Sequence, residues 1–173
     1  MLFSKEAFVL AGLQREAIRL PEVREYYDGW RHGGILGAAI PDNVLLFARL
    51  RSRELLARQV YRDFHNRFVL IAAVAGDGEI ELDGRPIRLR PGHALLIRPF
   101  QFHAYLETRA QRMCWLFVPF EQADLGEDDS WPQGPRKLSR EAIGFLTQLA
   151  QWRRSYGAVN VPDPYRRACC LSV

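Results

Sequence analysis

Two histidines and one carboxylate are the residues of this chain whose types and spacing are best suited to chemistry. Asp63 and His65 stand two positions apart, so in an extended strand both side chains point to the same face. His103 opens a later strand-like run. Two imidazoles and one carboxylate can bind iron, nickel or zinc, because this trio forms the facial arrangement of non-haem iron sites. The alternative is that Asp63 is solvated or pairs with a nearby arginine, while the histidines hydrogen-bond an organic ligand.

Short strands and tight turns must position these side chains. Ile80 and Leu82 alternate with glutamates at the period of a strand, and Asp83-Gly84 can adopt the positive φ angles that a two-residue hairpin requires. The same alternation resumes after the turn, and Pro91-Gly92 then forms a corner before the next apolar run. Regularly spaced short strands of this kind are typical of a small all-β sandwich or barrel, which can hold a ligand in its mouth.

Eight strand-like runs follow one another along the middle of the chain. They are Val44–Leu50, Leu56–Phe64, Phe68–Ala75, Glu79–Leu82, Ile87–Leu89, Ala94–Arg98, His103–Glu107 and Arg112–Phe120. The intervals between them are too short for intervening helices, so we expect a mainly antiparallel sheet structure.

Helical segments flank the strands. Residues 5–20 show helical spacing after Ser4, a plausible N-cap, and Ser139 is expected to cap a second helix. The predicted organisation is an N-terminal helix and arm at 1–41, a barrel at 42–121, a linker at 122–137 and a C-terminal helical segment at 138–173. A last helix beginning near Pro164 has no polar finish before Val173, which is typical of a fragment of a longer protein.

Composition excludes several classes of protein. The 173 residues are 48% hydrophobic without any apolar run of membrane-helix length, and the first twenty residues lack the apolar core of a secretory signal. The net charge is +4, but the arginines are scattered and form no basic run, so they indicate a solvated surface rather than a nucleic-acid site. Three cysteines without paired spacing favour a reduced, cytoplasmic compartment.

The central residues resemble the cupin fold, and within it the N-terminal effector-binding domain of AraC-type bacterial transcription regulators. The resemblance rests on Phe68–Glu79, Pro91–Pro99 and Phe100–Tyr105, and on the helix after Ser139 with a second helix start at Pro164. It implies a cupin (jelly-roll) barrel, a small-molecule effector, and a helix-turn-helix reader of DNA in a segment absent from this chain. In metal-binding cupins a histidine and a glutamate would stand where Asp63 and Val69 are found here, while His65 and His103 match.

Alternation along the predicted barrel strands selects the candidate binding residues. Polar and aromatic side chains at alternate positions would point into the barrel. The aromatic rings would contact the apolar or ring portion of a small molecule, and the polar side chains and nearby arginines would bind its acceptor or anionic group. These ligand-binding candidates are Tyr61, His65, Arg67, Arg98, His103, Tyr105, Trp115 and Phe117. For Trp115 and Phe117 the alternative is that they simply fill the core.

The sequence therefore predicts an effector-sensing module rather than an enzyme, with no catalytic residue and no required cofactor. The alternative is a small metal-dependent cupin enzyme, of isomerase or dioxygenase type, in which Asp63, His65 and His103 hold a divalent metal. We also expect a homodimer through the helix after Ser139, because the apolar stripe that includes Leu146 and Leu149 needs a partner if the barrel has its own core. Cys114 is expected to be a buried structural thiol.

Overall fold

The computed structural model describes residues 5–22, 41, 43–56, 65–108, 111–121 and 134–156. Three helices and eight strands make up these ranges. In chain order they are α1 (Lys5–Ala17), β1 (Phe47–Arg51), α2 (Ser52–Leu56), β2 (Phe68–Ala75), β3 (Gly78–Leu82), β4 (Arg85–Leu89), β5 (His93–Ile97), β6 (His103–Thr108), β7 (Arg112–Phe120), β8 (Arg136–Lys137) and α3 (Arg140–Tyr156).

The strands form two antiparallel sheets. The larger sheet has the order β1-β7-β2-β5-β8, and the smaller has the order β4-β3-β6. Neighbours in space are mostly distant in sequence: β2 lies between β7 and β5, with Ile71 opposite both Phe117 and Leu95. This arrangement confirms the mainly antiparallel, cupin-like barrel that the strand spacing predicts.

The Asp83-Gly84 hairpin is present as the sequence predicts. Both residues have positive φ angles, 49° for Asp83 and 79° for Gly84, and they join β3 to β4 with Leu82 opposite Arg85. Gly92 in the corner before β5 also has a positive φ, of 80°. Glycine adopts this left-handed region without a steric penalty, and aspartate tolerates it better than most residues.

The core between the sheets is built by alternation along β2 and β7, up to an irregularity in their pairing between Ala73 and Ala75. Along β2, Val69, Ile71 and Ala73 pack inside the barrel, and along β7 the residues Met113, Trp115 and Phe117 do the same. The intervening residues of both strands point to the opposite face of the larger sheet. The parity predicted for the last barrel strand is therefore confirmed.

The two long helices cover the outer face of the larger sheet. Leu13 of α1 and Leu146 of α3 are both fully buried in one cluster with Ala72 and Leu116 of the sheet. The predicted cap of α3 is confirmed, because the Oγ atom of Ser139 accepts a hydrogen bond from the N–H of Ala142 at 3.0 Å.

The predicted role of the α3 stripe in a dimer requires correction. Leu146 and Leu149 are buried within this chain, at 0% and 6% exposure, against α1 and the larger sheet. The prediction assumes that a barrel with its own core leaves this stripe without a partner in the same chain. The barrel in fact has apolar residues on both faces of its larger sheet, and the outer set packs on α3.

Several element boundaries also differ from those predicted; for example, β1 begins at Phe47 rather than at Val44. Leu56 ends the short helix α2 rather than beginning a strand, and the rest of that predicted strand lies outside the described residues. Arg136 and Lys137, assigned to the linker, form β8 and pair with β5. Helix α1 ends at Ala17 and is followed by a turn. The predicted N-terminal arm lies almost entirely outside the described residues, and the predicted last helix lies wholly outside them.

None of the described helices is long and apolar enough to span a membrane.

Candidate functional site

His65 and His103 lie together at one end of the barrel. Their ring centroids are 5.0 Å apart, and the planes are tilted by 59°. His103 opens β6 opposite Leu82, whereas His65 precedes β2 by three residues. The two imidazoles, 38 positions apart in sequence, are close enough to contact a single ligand group. The structure thus brings together the two histidines that the sequence singles out.

His103 is buried and its ring has a defined partner. Only 5% of the residue is exposed, and its Nδ1 atom lies 3.4 Å from the backbone carbonyl oxygen of Gln101. A carbonyl oxygen can only accept a hydrogen bond, so the imidazole must donate from Nδ1 in this contact. In the neutral ring Nε2 then carries the lone pair.

The loop that ends in His103 is held by a hydrogen-bond network around Asp83. The carboxylate of Asp83 accepts hydrogen bonds from the Gln101 side-chain amide and from the backbone N–H of Phe102, both at 3.0 Å. The backbone N–H of Asp83 in turn donates to the Phe102 carbonyl at 2.8 Å. The Oε1 atom of Gln101 accepts from the backbone N–H of Arg98 at 2.8 Å. We call residues 98–102 the rim loop.

His65 is partly buried, and one nitrogen of its ring is shielded from solvent. Its Nδ1 atom is inaccessible to solvent and has no hydrogen-bond partner among the residues that the structure describes. Burial, followed by the electrostatic influence of His103, lowers the pKa of His65 below its ordinary value of 6.5. A buried polar atom without a partner is costly, so it points to a ligand or another group that completes the site.

Aromatic rings line the barrel interior next to the histidines. Tyr105 meets His103 edge to face, with centroids 6.0 Å apart, and meets Phe117 in the same way at 6.2 Å. Phe117 stacks on Phe47 at 5.2 Å, although Phe47 was not predicted to belong to the site. These rings form an apolar wall that could contact a ring or hydrocarbon portion of a ligand.

Trp115 lies deeper in this aromatic group. It is fully buried, and its indole N–H donates to the carbonyl oxygen of Gly76 at 2.9 Å. Its polar atom is satisfied by the backbone, and its ring packs in the core between the sheets. Phe117 is also almost fully buried.

The two arginine candidates have different surroundings. Arg67 is buried, with 3% of the residue exposed. Its Nη2 atom donates a hydrogen bond to the carbonyl oxygen of Asn43. Its Nε atom lies 3.8 Å from a carboxylate oxygen of Glu121. The side-chain amide of Asn43 donates to the same Glu121 oxygen at 2.5 Å. Arg98 is half-buried at the start of the rim loop. Arg67 therefore serves to link three segments of the chain, a role that its sequence position did not reveal.

Tyr61 and Asp63 lie outside the described residues, so the proposed trio of metal ligands is represented only by His65 and His103. Within the described ranges no group of three or more histidine, cysteine, aspartate or glutamate side chains could hold a metal ion.

Cys114 is a buried thiol, as predicted. It lies on the helix-facing side of β7, and burial raises its pKa to about 12. A thiol with this pKa is almost wholly protonated at neutral pH and is a poor nucleophile.

Sequence reasoning missed Asp83 and Gln101 as parts of the site. Asp83 was recognised as a turn residue, and a hairpin aspartate often hydrogen-bonds nearby backbone groups. Its acceptance of two hydrogen bonds from the rim loop, 18 and 19 positions away, has no local signal in the sequence.

Comparison with known proteins identifies the class of the domain. The family described as the AraC-like ligand binding domain matches residues 54–156, more than half of the chain. The chain belongs to this family, and its fold is that of a cupin. The matched residues include both histidines and the whole rim loop. No curated protein matches the chain.

Solved structures with similar folds are distant in sequence. YhaK from Escherichia coli is 14% identical with a TM-score of 0.45, and the match covers 74% of this chain and 52% of YhaK. An RmlC-like cupin from Methanocaldococcus jannaschii, with a double-stranded β-helix fold, is 10% identical with a TM-score of 0.38, covering 60% and 89%. A putative mannose-6-phosphate isomerase from Ralstonia eutropha is 14% identical with a TM-score of 0.35, covering 60% and 100%.

Proposed function

We propose that this chain is the effector-sensing domain of an AraC-type transcription regulator and binds a small molecule inside the barrel. The observation that carries the proposal is the buried, unpartnered Nδ1 atom of His65, in the described part of the chain, beside the ring of His103 in a family of ligand-binding domains. Tyr105 supplies the adjoining apolar wall. In this proposal His65, His103 and Tyr105 contact the effector directly.

The wider roles follow from the family and are part of the same proposal. Effector binding would favour one packing of the barrel with its flanking segments over another, which changes the arrangement presented to DNA by a reader segment outside this chain. Homodimerisation in the cytoplasm would couple two such readers. The dimer contact must use a surface other than the buried stripe of α3, since Leu146 and Leu149 are occupied within the chain.

A metal-dependent cupin enzyme is the second candidate, and one observation favours it. The ring separation of 5.0 Å between His65 and His103 also suits two imidazoles that share a metal ion. Asp63 would have to complete the set. A bound divalent metal would supply a Lewis acid at this end of the barrel.

The test compares the wild type with a His65→Ala/His103→Ala double variant in a thermal-shift screen of small metabolites. His93→Ala is the matched control, because His93 lies at the opposite end of the β2–β5 ladder, where it pairs with Ala73. Compounds that raise the melting temperature of the wild type and of His93→Ala, but not of the double variant, support the proposal. A set of hits that is unchanged in the double variant would place the binding site elsewhere.

Elemental analysis of the same three proteins decides between the two candidates. Near-stoichiometric metal in the wild type and in His93→Ala, lost in the double variant, would favour the enzyme and direct the search toward redox or isomerase activity. Absence of metal at these histidines, together with metabolite hits, supports the effector-binding function.

A further inference from the structure

We propose that the cleft between the first half of α1 and the start of α3 is a second small-molecule site, which takes an amphipathic organic anion with a ring or hydrocarbon body and one acidic group. The cleft lies on the helix-covered face of the larger sheet, whereas His65 and His103 lie at one end of the barrel. The inference therefore goes beyond the proposed function and does not depend on it.

The first step concerns the packing of the two helices. Near their last turns, the guanidinium of Arg154 lies 3.1 Å from the carboxylate of Glu16. At their first turns, Ala7 of α1 and Ile143 of α3 line the same cleft, so the helices run in the same direction. The small side chain of Ala7 leaves the space between the N-terminal ends of the helices unfilled.

The second step concerns the size and the walls of the cleft. Its volume is about 500 Å³, within the range of roughly 300–1,000 Å³ that is typical of small-molecule sites. Such sites are lined mainly by apolar side chains with a few polar groups. The apolar side chains here are those of Ala7, Val9, Leu10, Pro91, Leu138 and Ile143.

The third step concerns the rigidity of the wall opposite α1. The backbone N–H of Gly92 donates a hydrogen bond to the carbonyl oxygen of Ala73, and the carbonyl oxygen of Gly92 accepts one from the N–H of Leu138, both at 2.8 Å. These two bonds fix the corner before β5 to β2 and to the residue after β8. The cleft is therefore formed before a ligand enters it, which lowers the entropic cost of binding.

The fourth step concerns charge. The two charged residues that line the described part of the cleft are both cations, Lys137 of β8 and Arg140 of α3, and both are exposed. Lys137 has a further interaction within the chain, so we assign the principal contact to Arg140. A guanidinium presents several N–H donors in one plane and can bind a carboxylate or sulfonate through two of them. Apolar walls beside exposed cations are complementary to an amphipathic anion.

The test uses two fluorescent probes that share a ring system and differ in charge. They are 1-anilinonaphthalene-8-sulfonate, which is anionic, and N-phenyl-1-naphthylamine, which lacks the sulfonate. Arg140→Gln should weaken binding of the anionic probe about fivefold, as expected for the loss of one solvent-exposed ion pair, and should leave binding of the neutral probe unchanged. Lys137→Gln should have the same effect to a smaller extent.

Arg136→Gln is the matched control. Arg136 precedes Lys137 in β8, and successive side chains of a strand point to opposite faces. This variant removes the same charge from the same strand and should bind both probes as the wild type does. Equal affinities of Arg140→Gln and Arg136→Gln for the anionic probe would overturn the proposal, and so would an equal loss of both probes in Arg140→Gln.

The position of the bound probe is measured by ¹H–¹⁵N amide spectra of the wild type. We expect the anionic probe to shift the signals of Gly92, Leu138 and Ile143. Shifts confined to barrel residues such as Phe102 and His103 would contradict the second site while supporting a site in the barrel. Conversely, shifts at the cleft without any metabolite hit in the barrel support this inference and leave the effector-binding function unsupported.

A second copy of the chain is the other occupant that this experiment detects. If the amide signals of Gly92, Leu138 and Ile143 change with protein concentration when no probe is present, the cleft is covered by another subunit and the proposal is wrong. Signals that are independent of protein concentration, together with displacement by the anionic probe, support the small-molecule site.

Discussion

The backbone N–H of Phe100 donates a hydrogen bond to the carbonyl oxygen of His65 at 2.7 Å. This contact joins the rim loop to His65, three residues before β2, and it is made by a phenylalanine with a φ of 62° and 67% exposure. A side chain in the left-handed region carries a steric penalty. The backbone of this strained, exposed residue thus contacts one of the candidate ligand-binding residues.

The first prediction concerns this strain. Phe100→Gly should be more stable toward urea than Phe100→Ala by about 1 kcal/mol, because alanine keeps the Cβ clash and glycine removes it. The comparison isolates the backbone conformation, since both variants lose the same exposed ring. Equal stabilities of the two variants, or a less stable glycine variant, would show that residue 100 does not adopt the left-handed conformation in solution.

The second prediction concerns Arg67. Arg67→Met should lower the free energy of unfolding by about 1–3 kcal/mol, because it leaves the buried Asn43 carbonyl and the nearby Glu121 carboxylate without this cation. Arg90→Met, at an exposed position after β4, is the control and should change stability by less than about 0.5 kcal/mol. Similar denaturation midpoints for both variants would contradict the structural role of Arg67.

The third prediction concerns pH. In the folded protein the pKa of His65 lies below the ordinary 6.5, mainly because of burial. As the pH falls, His65 is therefore protonated at a higher pH in the unfolded chain than in the folded protein. The free energy of unfolding should therefore fall as the pH drops below about 6.5, and this contribution should level off below the folded pKa. Above that range His65 is neutral in both the folded and the unfolded state, so it adds no pH dependence to the free energy of unfolding.

Urea unfolding of the wild type and of His65→Gln, measured between pH 5 and 8, checks this sign. Glutamine does not titrate, so the variant should lose less stability on acidification than the wild type. A wild type that becomes more stable than the variant as the pH falls would show that the pKa of His65 is raised rather than lowered.

The fourth prediction follows from the burial of the α3 stripe. Leu146→Ala should cost about 2–5 kcal/mol, as expected for a fully buried leucine, whereas Gln148→Ala on the exposed side of the helix should change little. Because Leu146 packs within one chain, the loss should not depend on protein concentration. A cost that grows on dilution, measured across a hundredfold concentration range or so, would instead place Leu146 in a subunit interface.

Much of the fold could be predicted because its signals are local. The strand-like runs Phe68–Ala75 and Arg112–Phe120 gave the correct bounds of β2 and β7, and the Asp83-Gly84 pair gave the correct hairpin. The pairing of His65 with His103 was also expected, although it came from the resemblance to cupins rather than from spacing. The strand beginning at Leu56 was wrong at that residue, which ends a short helix.

The sequence by itself determined the strand parity and the tight turns, because these depend on the order and type of neighbouring residues, and it pointed to the two histidines through the resemblance to cupins. Only the tertiary structure decided how the site is held. Asn43 hydrogen-bonds Glu121, which is 78 positions away in the sequence, and Asp83 hydrogen-bonds residues of the rim loop that are 18 and 19 positions away. It also decided that the apolar stripe of α3 packs on its own barrel. Such contacts depend on which strands lie side by side and on what covers the outer face of each sheet, and local periodicity carries no information about either.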